Sequence, residues 1–416
     1  MRVGIIDAEI IGKSKHRFPN LCCMKISSYH KQRGDNVTLL LNYDNTDQYD
    51  KVYISKVFIK TEIPGEPADK TNKTEEKIKE WYENNSFLKK SNIEYGGTGF
   101  FYNNSPTLPY EIEHAMPDYH LYDDWVSEKI ASGVKRSEFT YYLDYSIGYL
   151  TRKCFRGCYY CINRDYKKVE TASSIVEFLD ETRPKVCFLD DNFLGYPRWR
   201  ELIQPVVDSG KRFQFKQGLD ERLLTSDTIE EISKWKYDGD MIFAFDNIED
   251  KKLIISKLNL IRKTVPNWKR KLKFYVFCGC DKNKIYDDAF WENDIVNLFE
   301  RITILRAFNA TPYIMRHEDV YKSEYSSFYA TVAAYCNRPS MFKSVSFRLF
   351  SQCKGMLNDG YAKYKRDIDG YLQDIGRKGS EWRSMEFIQA KFPHIGNKYF
   401  DIDRNTDLSF YKEGIE

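Results

Sequence analysis

Thr151-Arg-Lys-Cys154-Phe-Arg-Gly-Cys158-Tyr-Tyr-Cys161 sets three thiols within eight residues, directly behind the apolar run Ser146 to Leu150. Ten cysteines in 416 residues would produce this spacing in roughly 0.006 chains of the same composition, so the cluster needs a cause. The other seven, Cys22, Cys23, Cys187, Cys278, Cys280, Cys336 and Cys353, are scattered. In a chain with no secretory pattern these are thiols, metal ligands or catalytic groups before they are disulfides. Three thiolates from one loop hold three metal positions, and Gly157 relieves backbone crowding as they converge. A structural zinc site wants a fourth Cys or His at short spacing, but His114, His120 and His317 are remote in sequence. The loop therefore favours an iron–sulfur cluster with one iron open to a ligand.

Working outward, Ser146 to Leu150 is the first of six strand-like runs, followed by Val186 to Asp190, Arg212 to Phe215, Met241 to Phe245, Leu272 to Phe277 and Pro312 to Met315. Helix-like segments fall between them at about 171–182, 198–209, 226–236, 250–264 and 288–308. Strands alternating with helices in this way predict a parallel, right-handed βα layer or partial barrel. Chemistry in such folds belongs at the carboxyl ends of the strands, where the cysteine loop stands.

Ahead of this layer, Arg2 to Asp7 reads as a strand, Gly12 to Asn20 as a loop, and Leu21 to Arg33 as a helix stopped by Gly34. Val37 to Leu41 and Lys51 to Ile59 read as further strands, so a small Rossmann-like α/β domain with a mostly parallel sheet is expected. Pro64 to Asn92 is polar and reads as a helix with loose flanks. Gly96-Gly97-Thr98-Gly99 marks a strand handing over to a turn, and Pro106, Pro109 and Pro117 mark an extended connector. After residue 320 the aromatic-rich helical pattern reads as a mainly helical C-terminal cap. The expected class is α/β, with domains at 1–140, 141–320 and 321–416.

Hydrophobic residues at 42% and charged residues at 30% exclude both a membrane protein and a disordered chain. No apolar run approaches the ~20 residues of a membrane span. Met1 leads straight into Val3 to Ile6 without a signal-peptide pattern, so a cytoplasmic protein is expected. Lys and Arg number 64 against 61 Asp and Glu, a net charge of +3 with no basic arm, so binding driven by bulk charge to phosphate is not indicated. Arg262, Lys263, Lys269, Arg270, Lys271 and Lys273 surround Trp268. A local nucleic-acid surface is one reading of them, and a solvated helix-to-strand connection is the simpler one.

On Cys154, Cys158 and Cys161, in the pattern Cys-x3-Cys-x2-Cys with Tyr160 before the third, the chain resembles the radical S-adenosylmethionine superfamily over residues 141–320. The resemblance implies a partial (β/α)6 barrel with a 4Fe-4S cluster on those three cysteines. It implies S-adenosylmethionine on the open iron, cleaved by one electron to a 5′-deoxyadenosyl radical, with the cofactors carrying the chemistry. An electron donor such as flavodoxin or ferredoxin is implied as a partner, and Tyr160 would pack near the adenine. Where the family has Gly-Gly-Glu after the second strand, this chain has Leu189-Asp190-Asp191-Asn192, which offers Asp190 or Asp191 to the methionine ammonium. Gln217-Gly-Leu-Asp220-Glu-Arg222 follows the third strand, with Arg222 placed to pair with a carboxylate, and Asp246-Asn247 ends the fourth. Each alone is equally a cap or turn residue, and together at strand ends they point to a pocket. Cys278-Gly-Cys280 ends the fifth strand. Buried thiols are a simpler reading of it than a second cluster with Cys336 or Cys353.

The N-terminal domain resembles, more faintly, the cobalamin-binding domain that precedes the barrel in one branch of that superfamily, through Asp7, Ser55-Lys-Val and Gly96-Gly97. Asp7-Ala8-Glu9 stands where Asp-x-His would be, and His16 is too far along to replace it, so absence of cobalamin is the expectation. Three functions follow. The first is hydrogen abstraction from an unidentified substrate, with a nucleotide or nucleic-acid base as one class. The second is methyl or methylthio transfer to a small molecule or peptide. The third, of a different class, is a non-catalytic iron–sulfur module that senses redox state or scaffolds a partner.

Overall fold

A computed structural model describes residues 1–66, 75–101, 105–359 and 378–413, with the side chains of 75–78 and 354–359 excepted. The chain divides into two compact units, Met1–Lys216 and Gln217–Glu416, at a boundary inside the span 141–320.

In the first unit, β1 (Arg2–Asp7), β2 (Asn36–Leu39), β3 (Lys51–Ser55) and β4 (Ile93–Gly96) form an all-parallel sheet in the order β2-β1-β3-β4. It carries α1 (Leu21–Gln32), α2 (Glu75–Glu83) and α3 (Thr98–Phe101). Side chains alternate across a strand. Val3 and Ile5 accordingly pack with Cys23, Met24 and Ile26 of α1, while Ile6 joins Val52, Ile54, Ile93 and Phe100 in a second core. The small parallel α/β layer expected from the sequence is present.

The connector is not extended. It folds into α4 (Tyr110–Glu113), α5 (Asp123–Ala131) and α6 (Thr140–Leu143), and Pro109 starts α4 rather than forbidding it. Tyr122, Trp125, Phe139 and Tyr142 of this segment complete the first core.

The cysteine-bearing layer begins with β5 (Tyr145–Gly148), β6 (Thr151–Arg152), β7 (Glu170–Thr171), β8 (Lys185–Phe188), α7 (Trp199–Ser209) and β9 (Arg212–Phe215). Strands β5, β8 and β9 form a parallel sheet in that order. The helix expected over 171–182 does not form. Glu170–Thr171 pairs antiparallel with Thr151–Arg152, and the Ser174/Glu177 capping box closes only the single 3₁₀ turn Ile175–Glu177. Ile175 and Phe178 bury one (i, i+3) pair, too little apolar face for a longer helix before Pro184.

Arg183 ties β5 to the connector. Its guanidinium is buried and donates to the carbonyls of Tyr142 at 2.7 Å, Tyr145 at 3.2 Å and Tyr119 at 3.0 Å. The Tyr119 hydroxyl in turn donates to Phe178 O at 2.6 Å and accepts from Ile147 N at 2.8 Å.

The second unit continues the alternation with α8 (Ser226–Lys234), β10 (Met241–Ala244), α9 (Lys251–Thr264), β11 (Leu272–Cys278), α10 (Asp288–Ala307) and β12 (Thr311–Arg316). Its sheet is parallel in the order β10-β11-β12. All six expected strands are therefore present, in the succession of a partial (β/α)6 barrel, three in each unit. The cap follows as α11 (Ser326–Cys336), α12 (Pro339–Ser344), α13 (Phe347–Asp359), α14 (Ser380–Lys391) and α15 (Pro393–Tyr399). Phe299 of α10 meets Phe328, Phe347 and Phe400 of the cap at ring-centroid distances of 5.3 to 6.1 Å, which fixes the cap on that helix. No helix among the described residues is long and apolar enough to cross a membrane.

Candidate metal centre

Strand β5 ends at Gly148, where a β-carbon would fall 2.3 Å from the Phe178 ring, so only glycine lets the strand lie this close. Tyr149 to Lys153 then lead into the cysteine loop. Within it Cys161 N donates to Cys158 O at 2.9 Å and Arg164 N to Cys161 O at 3.2 Å, so the last two cysteines sit on one tight turn. Gly157, just ahead of that turn, has φ +63°, a left-handed conformation in which other residues are strained. Phe155 lies against Gly195, where a β-carbon would stand 2.8 Å from the ring.

Parallel pairing of β5 with β8 in the register Gly148↔Phe188 brings the residues after each strand side by side. Asp190 is wholly buried. It accepts from Leu150 N at 3.2 Å, Thr151 N at 2.6 Å and Thr151 Oγ1 at 2.7 Å. Burial lifts its carboxyl to about 7, against the lowering effect of the bonds from Thr151 and Leu150. Asp191 Oδ2 accepts from Lys153 N at 2.7 Å, and Asn192 Nδ2 donates to Cys154 Sγ at 3.4 Å. The Lys153 ammonium reaches Glu170 at 2.7 Å. The sequence singled out Asp190 and Asp191 as ligand-binding carboxylates. Here both oxygens of Asp190 and Oδ2 of Asp191 are engaged by the segment leading into the cysteine loop, which also meets Asn192, a residue without an assigned role in the sequence reading.

Cys154, Cys158 and Cys161 are all half-buried thiols, and none of the ten cysteines is in a disulfide. Burial pushes the Cys161 thiol above its ordinary range. The N–H of Asn163, 3.4 Å from the sulfur, opposes that rise, and Cys158 and Cys154 add to it. In kind this donor set suits an iron–sulfur cluster: three thiols of one loop, two of them already receiving an N–H donor. In arrangement it is not preassembled, because among the described residues no three His, Cys, Asp or Glu side chains are gathered closely enough to hold a metal ion. Tyr160 is half-buried and Tyr159, edge-on to it with centroids 5.1 Å apart, is exposed.

The remaining candidates lie in the second unit. Gln217 is exposed, and Gly218, at φ +92°, brings its backbone against Ile242. Asp220 Oδ1 accepts from Arg222 Nε at 2.7 Å, and the neighbouring Glu221 is raised to about 8 by burial and by the Asp220 charge. Asp246 Oδ1 accepts from Phe277 N at 2.8 Å, and Arg301 donates to the carbonyls of Phe245, Asp246 and Phe277. Asp220 with Arg222, and Asp246 with β11, thus brace the ends of successive strands. Cys278 and Cys336 are buried, and Cys278 Sγ donates to Met315 O at 3.6 Å.

In the N-terminal domain Asp7 is buried, accepts from Tyr122 Oη at 2.8 Å and is raised to about 6 by burial. Glu9 accepts from Val57 N at 2.9 Å, Phe58 N at 3.0 Å and Thr61 Oγ1 at 2.6 Å. At Gly97 a β-carbon would stand 2.2 Å from Lys56 O. The position where a cobalt-coordinating imidazole would stand is thus filled by a carboxylate turned onto the segment after β3, and His16 bonds Tyr142 Oη at 3.0 Å. These residues do not fit an axial imidazole ligand.

No family model matches the chain, and no curated protein matches it. Two solved structures of the radical S-adenosylmethionine methyltransferase TsrM from Kitasatospora setae are similar in layout. The one with cobalamin and a 4Fe-4S cluster bound shares 9% identity over 76% of this chain and 75% of that one, with a TM-score of 0.46. The one with tryptophan and a S-adenosylmethionine analogue bound shares 11% identity over 75% and 72%, with a TM-score of 0.45. Likeness at this level decides neither the reaction nor the ligands.

Proposed function

We propose that the chain is a radical S-adenosylmethionine enzyme, with 1–140 as the preceding α/β domain, 141–320 as the catalytic layer and 321–416 as the cap. The observation that carries this reading is the Cys154-x3-Cys158-x2-Cys161 loop beyond the carboxyl end of β5, the first strand of the parallel sheet β5-β8-β9. Cys154, Cys158 and Cys161 hold a 4Fe-4S cluster, which when bound supplies the electron that cleaves S-adenosylmethionine to a 5′-deoxyadenosyl radical. Tyr160, beside the third ligand, shields the adenine. The strand-end groups Asp191, Gln217, Asp220, Arg222 and Asp246 are the chain's candidates for the ammonium and carboxylate of the ligand, since charge-assisted bonds suit both.

The test is anaerobic reconstitution with iron and sulfide. The wild-type chain should take up one cluster, and replacing the three cysteines together by Ala should abolish it. Reduced protein should then release 5′-deoxyadenosine from S-adenosylmethionine. A triple variant that keeps its full cluster overturns the assignment, and a content near two clusters would make Cys278 and Cys280 ligands as well. Product analysis separates the chemistry downstream: S-adenosylhomocysteine marks methyl transfer, and 5′-deoxyadenosine alone marks hydrogen abstraction.

A further inference from the structure

We propose that Asp190-Asp191-Asn192 is a positioning device for the cysteine loop, which makes Cys154 the fixed corner of the metal site. The proposal rests on reading that loop as the seat of a cluster, and it concerns what the chain does to the loop before and after the cluster arrives.

Three consecutive side chains engage four of the five residues from 150 to 154, in order along both segments. Asp190 takes the N–H groups of Leu150 and Thr151 and the Thr151 hydroxyl, Asp191 takes the N–H of Lys153, and Asn192 donates to the sulfur of Cys154. The parallel register of β5 and β8 makes this possible, because it sets Phe188 opposite Gly148 and so starts both outgoing segments level. Asp190 and Asn192 are buried, so water competes poorly for these bonds. Lys153 is the telling residue. It has φ +74°, a backbone conformation that a residue with a β-carbon avoids, and the Asp191 bond to its N–H holds it there. That turn aims Cys154 at Asn192.

Beyond Cys154 the loop is held differently. Phe155 is seated against Gly195, Gly157 supplies a second left-handed turn, and Cys158 and Cys161 ride together on a turn of their own. Asp191 and Asn192 therefore anchor the first thiol, while the other two share a turn that neither of these side chains is shown to touch. Asn192 adds an electronic effect. An N–H directed at a ligating sulfur stabilises the extra negative charge that reduction places on a cluster, and so raises its potential.

The experiment uses the full chain in two states. In the cluster-free protein, alkylation of each thiol by iodoacetamide is followed by peptide mass spectrometry for wild type and Asp191→Ala. Cys154 should react about fivefold faster or more in Asp191→Ala, the effect of one lost hydrogen bond, with Cys158 and Cys161 unchanged. In the reconstituted protein, Asn192→Leu should shift the midpoint potential of the cluster to more negative values at unchanged iron content. Unchanged Cys154 reactivity in Asp191→Ala overturns the clamp, as does an equal rise at all three thiols. An unmoved potential overturns the role of Asn192. If the wild-type chain takes up no iron, the proposed function fails while the alkylation pattern still decides the clamp. Asp190 is left intact because its removal threatens folding of the β5–β8 edge.

Discussion

Arg183 carries the mechanical link between the N-terminal domain and the strand that presents the cysteine loop, and Arg183→Met measures it. The methionine keeps an aliphatic side chain in the same space and removes every donor. Three carbonyls, those of Tyr119, Tyr142 and Tyr145, then lose their partner in a site where Arg183 itself is 6% exposed. The guanidinium also stands 3.4 Å from Asp180 and over the Tyr119 ring at 4.4 Å. A buried polar group left unpaired costs about 1 to 3 kcal/mol, and water reaching one of the three carbonyls brings the total to roughly 4 kcal/mol. Confined to local opening of β5, that is nearly a thousandfold in the opening equilibrium. Hydrogen exchange of the peptides covering β5 and β8, read by mass spectrometry under native conditions, gives this number without requiring the two units to unfold together. Arg183→Lys keeps the charge but satisfies fewer carbonyls at once, so it should recover only part of the loss. If Arg183→Met changes the exchange of β5 by less than about 1 kcal/mol, the carbonyls have other partners and the reasoning fails.

Asp7→Asn should alter the pH dependence of the first unit. Asp7 is fully buried, and its rise from 3.8 to about 6 makes its charge a destabilising one, absent below the unfolded value and fully present above pH 6. Wild-type stability should therefore fall by up to about 3 kcal/mol between pH 4 and 6 from this group alone, and the variant should lose that slope in melting curves taken across the range. Hydroxocobalamin titrated into the full chain should be lost on desalting, since Glu9 replaces the imidazole; stoichiometric retention in the absorbance spectrum would instead mean a cobalt bound without a protein ligand. Arg222→Ala should leave iron content unchanged and weaken S-adenosylmethionine about 10- to 150-fold by calorimetry, the loss of one charge-assisted bond. Wild-type affinity in that variant would make Arg222 a partner of Asp220 alone.

How much of this was legible in the sequence differs by residue. The six strands and most of the helices were, because their apolar periodicity is local: β11 buries Phe274, Val276 and Cys278 on alternate positions as its sequence suggests. The short helices of the connector were not. Prolines at 106, 109 and 117 suggest extended chain, yet the segment folds because Tyr122, Trp125, Phe139 and Tyr142 find a core supplied by β1 and α1, far earlier in the chain. The failed helix at 171–182 has the same origin, since Glu170 and Thr171 at its start pair with Arg152 and Thr151, a partner no local pattern announces.

The metal loop shows where the boundary between legible and hidden lies. Three cysteines in eight residues are visible because ligation is a property of residue type and spacing along one segment. The carboxylates after β8 were equally visible as residue types, and chemical complementarity assigned them to a charged ligand. What sequence lacks is the register Gly148↔Phe188, and that register decides which donors those carboxylates meet first. Once it is fixed, Asp190 faces the backbone of residues 150 and 151, Asp191 faces residue 153, and Asn192 faces the first cysteine. An Asp-Asp-Asn run at a strand end, one strand over from a cysteine loop, therefore serves first as a complement to unpaired backbone N–H groups. Those N–H groups need acceptors wherever the chain leaves a sheet to build a loop. The same logic holds at the ends of β9 and β10, where Asp220 takes Arg222 and Asp246 takes the N–H of Phe277. Polar residues at strand ends answer first to the backbone beside them, and only the oxygens left over are available to a ligand.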